Sequence, residues 1–241
     1  MNAHIDPEAM IEIDVWRIPL TSEPSEHDKL LDPDERRRAA RFIFDSDRAR
    51  FTRSRGTLRA TLARYVDILP EQIKFDYGTH GKPTIRGCPI HFNLSHAGDW
   101  AYLAISTTTP VGIDVERLRP PARNGWIDLA RRFFSKAEVT ELLALPSSEQ
   151  TEAFFACWTR KEAYIKLHGR GLSLPLGQFT VAADPKAPAI LRSSEWCPDD
   201  TARTVLRDLS SPAGYRACLA VGTPLTIAVQ SKTWTAPVTL T

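Results

Sequence analysis

Cysteine is scarce and scattered in this chain: Cys88, Cys157, Cys197 and Cys218 include no CxxC pair and have no histidine at zinc-ligand spacing. That excludes a zinc finger or ribbon. A disulfide framework is not expected in 241 residues, a length that can bury a core without staples, so the thiols are read as reduced and the protein as cytoplasmic. No apolar run approaches the roughly 20 residues that a membrane helix needs. Residues 1–10 carry no basic stretch followed by an apolar core, so no signal peptide is expected. An excess of one charge is also missing. Lys and Arg total 31 against 29 Asp and Glu, a net of +2 that draws neither nucleic acid nor a membrane surface. Low-complexity segments are absent.

What remains is the composition of an ordinary globular protein, 42% hydrophobic and 25% charged, long enough for one large domain or two modest ones. The positive charge is unevenly placed. Ten arginines fall between Arg36 and Arg64, broken only by Asp45 and Asp47. Guanidinium forks suit phosphate, although a solvated helix face is the plainer reading of such a run.

Alternation over 11–16 predicts a half-buried strand. Asp32-Pro33-Asp34-Glu35 reads as the capped start of a short helix. A longer helix is predicted over 46–66, with Leu58, Leu62 and Tyr65 on one face and Arg55 and Arg59 as a polar neighbouring pair. Gly78 to Pro83 is a turn-rich loop; 91–96 and 100–105 are strands joined through Gly98-Asp99. The second half opens on the strand Val111-Gly112-Ile113-Asp114-Val115-Glu116. Ser135 to Glu138 forms a capping box before a helix reaching Leu145, and a further helix runs over 149–168 to a stop at Gly169. Strand-like segments follow around 179–181, 204–206, 215–221 and 225–229. Trp100-Ala101-Tyr102-Leu103-Ala104 resembles Tyr215-Arg216-Ala217-Cys218-Leu219-Ala220 in pattern. Helices grouped before runs of strands favour an α+β protein, and the echo between halves suggests two similar lobes.

Asp114 and Glu116 stand two apart on a strand, so both carboxylates leave the same face, while Val111, Ile113 and Val115 face the core. Such a pair suits Mg²⁺, which takes one or two protein carboxylates, waters and substrate phosphate oxygens; taken alone it is more often a pair of exposed strand acids. Glu162 and Lys166 share a helix face at i,i+4, and Trp158, Tyr164 and Ile165 predict that this helix is packed rather than solvated. Lys82 in its tight turn, with Asn93, Ser95 and His96 at a strand end, supplies the kinds of groups that hold phosphate.

In order, the chain reads Gly81-Lys82-Pro83, Phe92-Asn93-Leu94-Ser95-His96, Val111 to Glu116, Phe133-Phe134-Ser135, Trp158-x-x-Lys161-Glu162-Ala163-x-x-Lys166 and Gly169-x-Gly171-Leu172. Over about 35–181 this resembles the 4′-phosphopantetheinyl transferases, in particular the longer, Sfp-type branch with two similar lobes on one chain. The resemblance implies an α+β fold whose two lobes, 1–108 on the nucleotide and 3′-phosphate side and 109–241 on the metal and catalytic side, are related by a pseudo-two-fold. The active site would lie in the cleft between them, with the last strands returning to the first lobe. It implies Mg²⁺-dependent (or Mn²⁺-dependent) transfer of the phosphopantetheine arm of coenzyme A to a serine of an acyl or peptidyl carrier protein, releasing 3′,5′-ADP. Asp114, Glu116 and Glu162 would hold the metal. Glu162 would take the serine proton, directly or through water; Lys166 would neutralise the diphosphate with Lys161 assisting; Asp114 and these three would all meet coenzyme A. Lys82 and Pro83 would meet the adenine side, and Asn93, Ser95, His96 and Arg38 the nucleotide and its 3′-phosphate. Glu35 and Phe51 stand where other members carry a basic and a small hydroxyl residue. By analogy the expected setting is carrier activation in secondary-metabolite biosynthesis by a monomer that binds neither nucleic acid nor membrane, with Arg53 and Arg59 available to an acidic carrier. A nucleic-acid-binding module built on the arginine cluster, or a Mg²⁺-dependent phosphohydrolase built on the acids, are the competing readings.

Overall fold

The computed structural model describes residues 10–21, 27–120 and 125–235. Strand β1 (Met10–Pro19) opens it, followed by α1 (Pro33–Ala39), α2 (Asp45–Leu62), the short strands β2 (Phe75–Tyr77) and β3 (Pro83–Ile85), and the hairpin β4 (His91–Ala97) and β5 (Trp100–Ser106). The chain then runs through β6 (Val111–Arg117), α3 (Gly125–Phe133), α4 (Lys136–Ala144), α5 (Ser147–His168), β7 (Phe179–Val181) and β8 (Leu191–Ser194). It closes with α6 (Asp200–Arg203), β9 (Val205–Leu209), β10 (Tyr215–Val221) and β11 (Thr226–Thr233).

One sheet has the order β11-β1-β5-β4 and a second the order β6-β10-β9. Both faces of β1 are buried. Ile13 and Val15 point, with Tyr102 and Ala104 of β5, at Val111, Ile113, Val115, Leu219 and Val221 of the second sheet. Trp16 and Ile18 point the other way, at Leu58 and Leu62 of α2. Helix α5 covers the outer face of the second sheet, where Cys218 and Ala220 meet Phe154, Cys157 and Tyr164. The result is helix, sheet, sheet, helix, an α+β arrangement with its innermost apolar layer between the sheets. The two echoing segments occupy β5 and β10, each flanked by a strand on both sides in its own sheet.

Local chemistry explains the element ends. Asp32 accepts from Glu35 N at 2.8 Å while its own N–H donates to the Glu35 carboxylate at 3.1 Å, starting α1. Ser135 and Glu138 do the same for α4. Gly169 adopts φ +63° to end α5, a conformation glycine takes without a Cβ penalty. Helix α3 is additional to the helices that the sequence predicts; its inward residues Trp126 and Ala130 are four apart and pack under Phe154 and Phe155.

Candidate active site

Among the described residues strand β6 is an edge of its sheet, bonded to β10 on one side only. Its free edge is satisfied by side chains of β4: Asn93 Oδ1 accepts from Ile113 N at 2.8 Å and Ser95 Oγ from Val115 N at 3.4 Å. These two bonds stitch the lobes together where no backbone ladder joins them. Above β6 lies α5, seated very closely. A Cβ added to Gly112 would stand 2.2 Å from Ala163 O and 2.3 Å from Leu167 N, so only glycine permits the contact.

That seating brings Glu162 and Lys166 over Asp114 and Glu116. Lys166 Nζ donates to Asp114 Oδ1 at 2.6 Å and to Ser95 Oγ at 2.9 Å, and Ser95 Oγ donates to the same Asp114 oxygen at 2.9 Å. The four charged residues, together with Ser95, His96 and Trp158, line a cleft of about 430 Å³. The electrostatics are those of a site short of positive charge. Burial first, then the neighbouring Asp114 and Glu116 charges, push the Glu162 carboxyl up to about 7, against the pull of Lys166. Glu116 is raised by burial and by Asp114, with Arg119, Lys166 and the Trp158 side chain opposing. His96, at the cleft rim, is lowered by desolvation and then by the cations of Lys166 and Arg38.

The donor set fits a hard divalent cation. Among the described residues Asp114 Oδ2 is buried without a hydrogen-bond partner, an acceptor that needs a cation or donor, and two further carboxylates, Glu116 and Glu162, line the same cleft. Among the described residues no three such groups already stand at metal-holding distance; Lys166 takes the place beside Asp114 Oδ1.

Other sequence-predicted residues are placed elsewhere. Lys161 faces away from the cleft and is fully buried, its ammonium bonded to both Glu138 oxygens at 2.6 and 2.8 Å and to Phe179 O at 2.7 Å. It joins α5 to α4 and β7 and cannot assist at the diphosphate. Lys82 Nζ donates to Val111 O and Lys166 O at 2.8 Å and to Leu167 O at 2.9 Å, which leaves no ammonium N–H for adenine. Pro83 pairs with Tyr77 across the β2–β3 hairpin. Asn93 is buried in the β4–β6 stitch rather than open to a nucleotide. Arg38 is exposed, its guanidinium 5.2 Å from the Phe51 ring, beside a hollow of about 450 Å³ shared with Arg37, Arg41 and Phe42. Arg53 and Arg59 are buried, so neither can meet a carrier. Arg59 and Arg55 instead grip Glu35, and Arg59 also bonds Asp32 at 2.7 Å. Glu35 thus anchors α1 to α2, and the arginine cluster loses members as a nucleic-acid surface. Trp158 joins the cleft residues beyond those predicted from the sequence, and the i,i+4 step from 158 to 162 to 166 puts it on their helix face.

Comparison with known proteins agrees with this geometry. Residues 110–220 match the 4′-phosphopantetheinyl transferase superfamily, and 15–108 match the description "4′-phosphopantetheinyl transferase, N-terminal". The 4′-phosphopantetheinyl transferase HetI of Nostoc sp. is 40% identical over 202 residues, 78% of this chain and 84% of its own. Sfp of Bacillus subtilis, a 4′-phosphopantetheinyl transferase, is 32% identical over 208 residues, 86% and 89% of the two chains. AcpT of Salmonella typhimurium, also a 4′-phosphopantetheinyl transferase, is 40% identical over 144 residues, 59% of this chain and 69% of its own. With the acidic strand and the Glu162–Lys166 helix both inside the matched regions, and the likeness running over most of both chains, this protein belongs to the 4′-phosphopantetheinyl transferase superfamily and is a transferase enzyme.

Proposed function

We propose that the enzyme moves the 4′-phosphopantetheine arm of coenzyme A onto a serine of an acyl or peptidyl carrier protein, with Mg²⁺ held by Asp114, Glu116 and Glu162. The observation that carries this is the buried, unpartnered Asp114 Oδ2 beneath two further carboxylates and Lys166 in one cleft. Bound there, the metal supplies positive charge to the diphosphate as charge builds on the leaving phosphate.

The protein's own groups divide the remaining work. The serine oxygen attacks the β-phosphorus, its proton passes to the Glu162 carboxylate, and the bond to the bridging oxygen breaks with 3′,5′-ADP as leaving group. With a cation held among these carboxylates Glu162 would be ionised at neutral pH, which leaves an oxygen able to accept the serine proton. Lys166, already beside Asp114, offers its ammonium to the diphosphate from a fixed position. His96, at the cleft rim, and Arg38, whose charge reaches the His96 ring, would meet the nucleotide and its 3′-phosphate. The exposed arginines Arg36, Arg37 and Arg41 remain for an acidic carrier. Work as a monomer in the cytoplasm, on carriers of secondary metabolism, belongs to the same proposal.

Incubation with coenzyme A, Mg²⁺ and an apo carrier protein, read by mass spectrometry, tests it: the carrier gains the mass of the arm. Glu162→Gln lowers the transfer rate by about 10²-fold or more. Transfer by the variant at the native rate would remove Glu162 from the role of base.

A further inference from the structure

Lys82 lies between β2 and β3, in a hairpin whose Phe75 and Ile85 pack into the first lobe. Its ammonium crosses to the second lobe. There it bonds Val111 O at 2.8 Å, at the start of the strand carrying Asp114 and Glu116. It also bonds Lys166 O at 2.8 Å and Leu167 O at 2.9 Å, in the last turn of the helix carrying Glu162 and Lys166. An ammonium has three N–H groups, and all three are taken. The last carbonyls of a helix have no partners within it, and the helix dipole favours a cation there. The fit is close on the stem as well: a Cβ added to Gly169 would come within 2.9 Å of Lys82 Cδ.

We infer that the Lys82 side chain is a positioning device for the transfer reaction, a cross-lobe clamp that fixes β6 against α5 and so holds the carboxylates and Lys166 in register, instead of giving its ammonium to the nucleotide. The inference rests on the metal-dependent transferase reading above. It follows from the acceptors: one from β6 and two from α5 meet at a single charge donated by the other lobe. Losing that charge lets the strand and helix slide relative to each other, and a misplacement of about 1 Å is costly to catalysis.

The test uses the full chain and variants that circular dichroism shows to be folded at the assay temperature. Mn²⁺ binding is measured by calorimetry, and transfer kinetics with coenzyme A and an apo carrier protein. Lys82→Met is expected to weaken Mn²⁺ binding and to lower kcat by about tenfold or more each, while KM for coenzyme A moves by less than about threefold. Lys82→Arg, which keeps a cation but not three converging donors, gives intermediate values and serves if the Met variant does not fold. Ile73→Val, a truncation in the first-lobe core, lowers Tm without moving either quantity.

A raised KM with unchanged kcat and Mn²⁺ affinity would overturn the inference by assigning Lys82 to the ligand. A lower Tm with native binding and kinetics would overturn it too, leaving Lys82 a stability device. A native chain that binds Mn²⁺ but transfers no arm defeats the transferase proposal alone, and the calorimetry still decides the role of Lys82. A native chain that binds no Mn²⁺ overturns the inference outright.

Discussion

A glutamate wedged beside two other carboxylates keeps its proton to a higher pH than one in water. With its folded value pushed up to about 7, above the ordinary 4.5, Glu162 favours the folded state while protonated. That contribution is complete below the ordinary value and fades as pH rises through about 7. Glu116 shifts in the same direction. A divalent cation reverses the effect by favouring the ionised carboxylates. The increase in Tm on replacing EDTA with Mg²⁺ is therefore expected to grow between about pH 5 and pH 8, and Glu162→Gln flattens this growth. Scanning calorimetry at a series of pH values checks it; an Mg²⁺ effect of equal size at every pH would refute the electrostatic account of the cleft. At this scale the sequence was informative where spacing decides direction. Asp114 and Glu116 two apart on a strand, and Glu162 and Lys166 four apart on a helix, do share a cleft. It was uninformative where direction depends on a distant partner. Lys161 is a neighbour of Glu162 in sequence, yet the next helix position points inward, and the decisive group, Glu138, is 23 residues away. Nothing local to Gly81-Lys82-Pro83 announces three carbonyl acceptors from the other lobe.

Between elements, the controlling contact is β6 under α5, and Gly112 sets its closeness. The atoms that an added methyl would meet are backbone of α5, which cannot rotate aside. Gly112→Ala is expected to destabilise the fold by about 3 kcal/mol or more and to weaken metal binding by lifting Glu162 and Lys166 away from Asp114. Gly177→Ala is the control. Its added carbon would find Phe134 O at 3.9 Å and Phe133 O at 4.0 Å, ordinary contacts, so it should change stability by less than about 1 kcal/mol. Urea denaturation of both variants separates them, and equal stability would show that α5 can ride higher on the strand without cost. Elements with self-contained signals were legible: the two capping boxes, the Gly169 stop and the β4–β5 turn at Gly98, whose φ is +53°. The arginine pair 55 and 59 was legible as one helix face, but its direction was not. Both residues turn inward because Glu35, on another helix, waits there.

Over the whole molecule, the two lobes are not separable bodies. Strand β11 pairs in parallel with β1, from Met10 opposite Thr226 to Arg17 opposite Thr233, so the final described strand belongs to the first sheet. Lys232 bonds Asp14 at 2.6 Å, and Asp14 also accepts from Tyr65 of the region after α2. Ile227 joins Ile13 and Val15 in the layer between the sheets. A chain cut at 225 would therefore open the hydrogen-bonding edge of β1 and uncover part of the central core. It would also leave the Asp14–Tyr65 pair without its cation. A bare edge strand of this length recruits other chains, and losing one buried isoleucine alone costs roughly 1.5–3 kcal/mol. The expected outcome for residues 1–225 is poor solubility or, where soluble, a Tm lower by roughly 10 °C or more with a broadened transition. Lys232→Met in the full chain, which keeps β11 but removes one ion pair, should lower Tm by only a few degrees, on the order of 1 kcal/mol. Expression of both, with soluble fractions compared and thermal unfolding followed by circular dichroism, distinguishes the contributions. If the truncated chain melts like the intact one, then β11 is an appendage, and the first sheet is held together by β1, β5 and β4 with α2 alone.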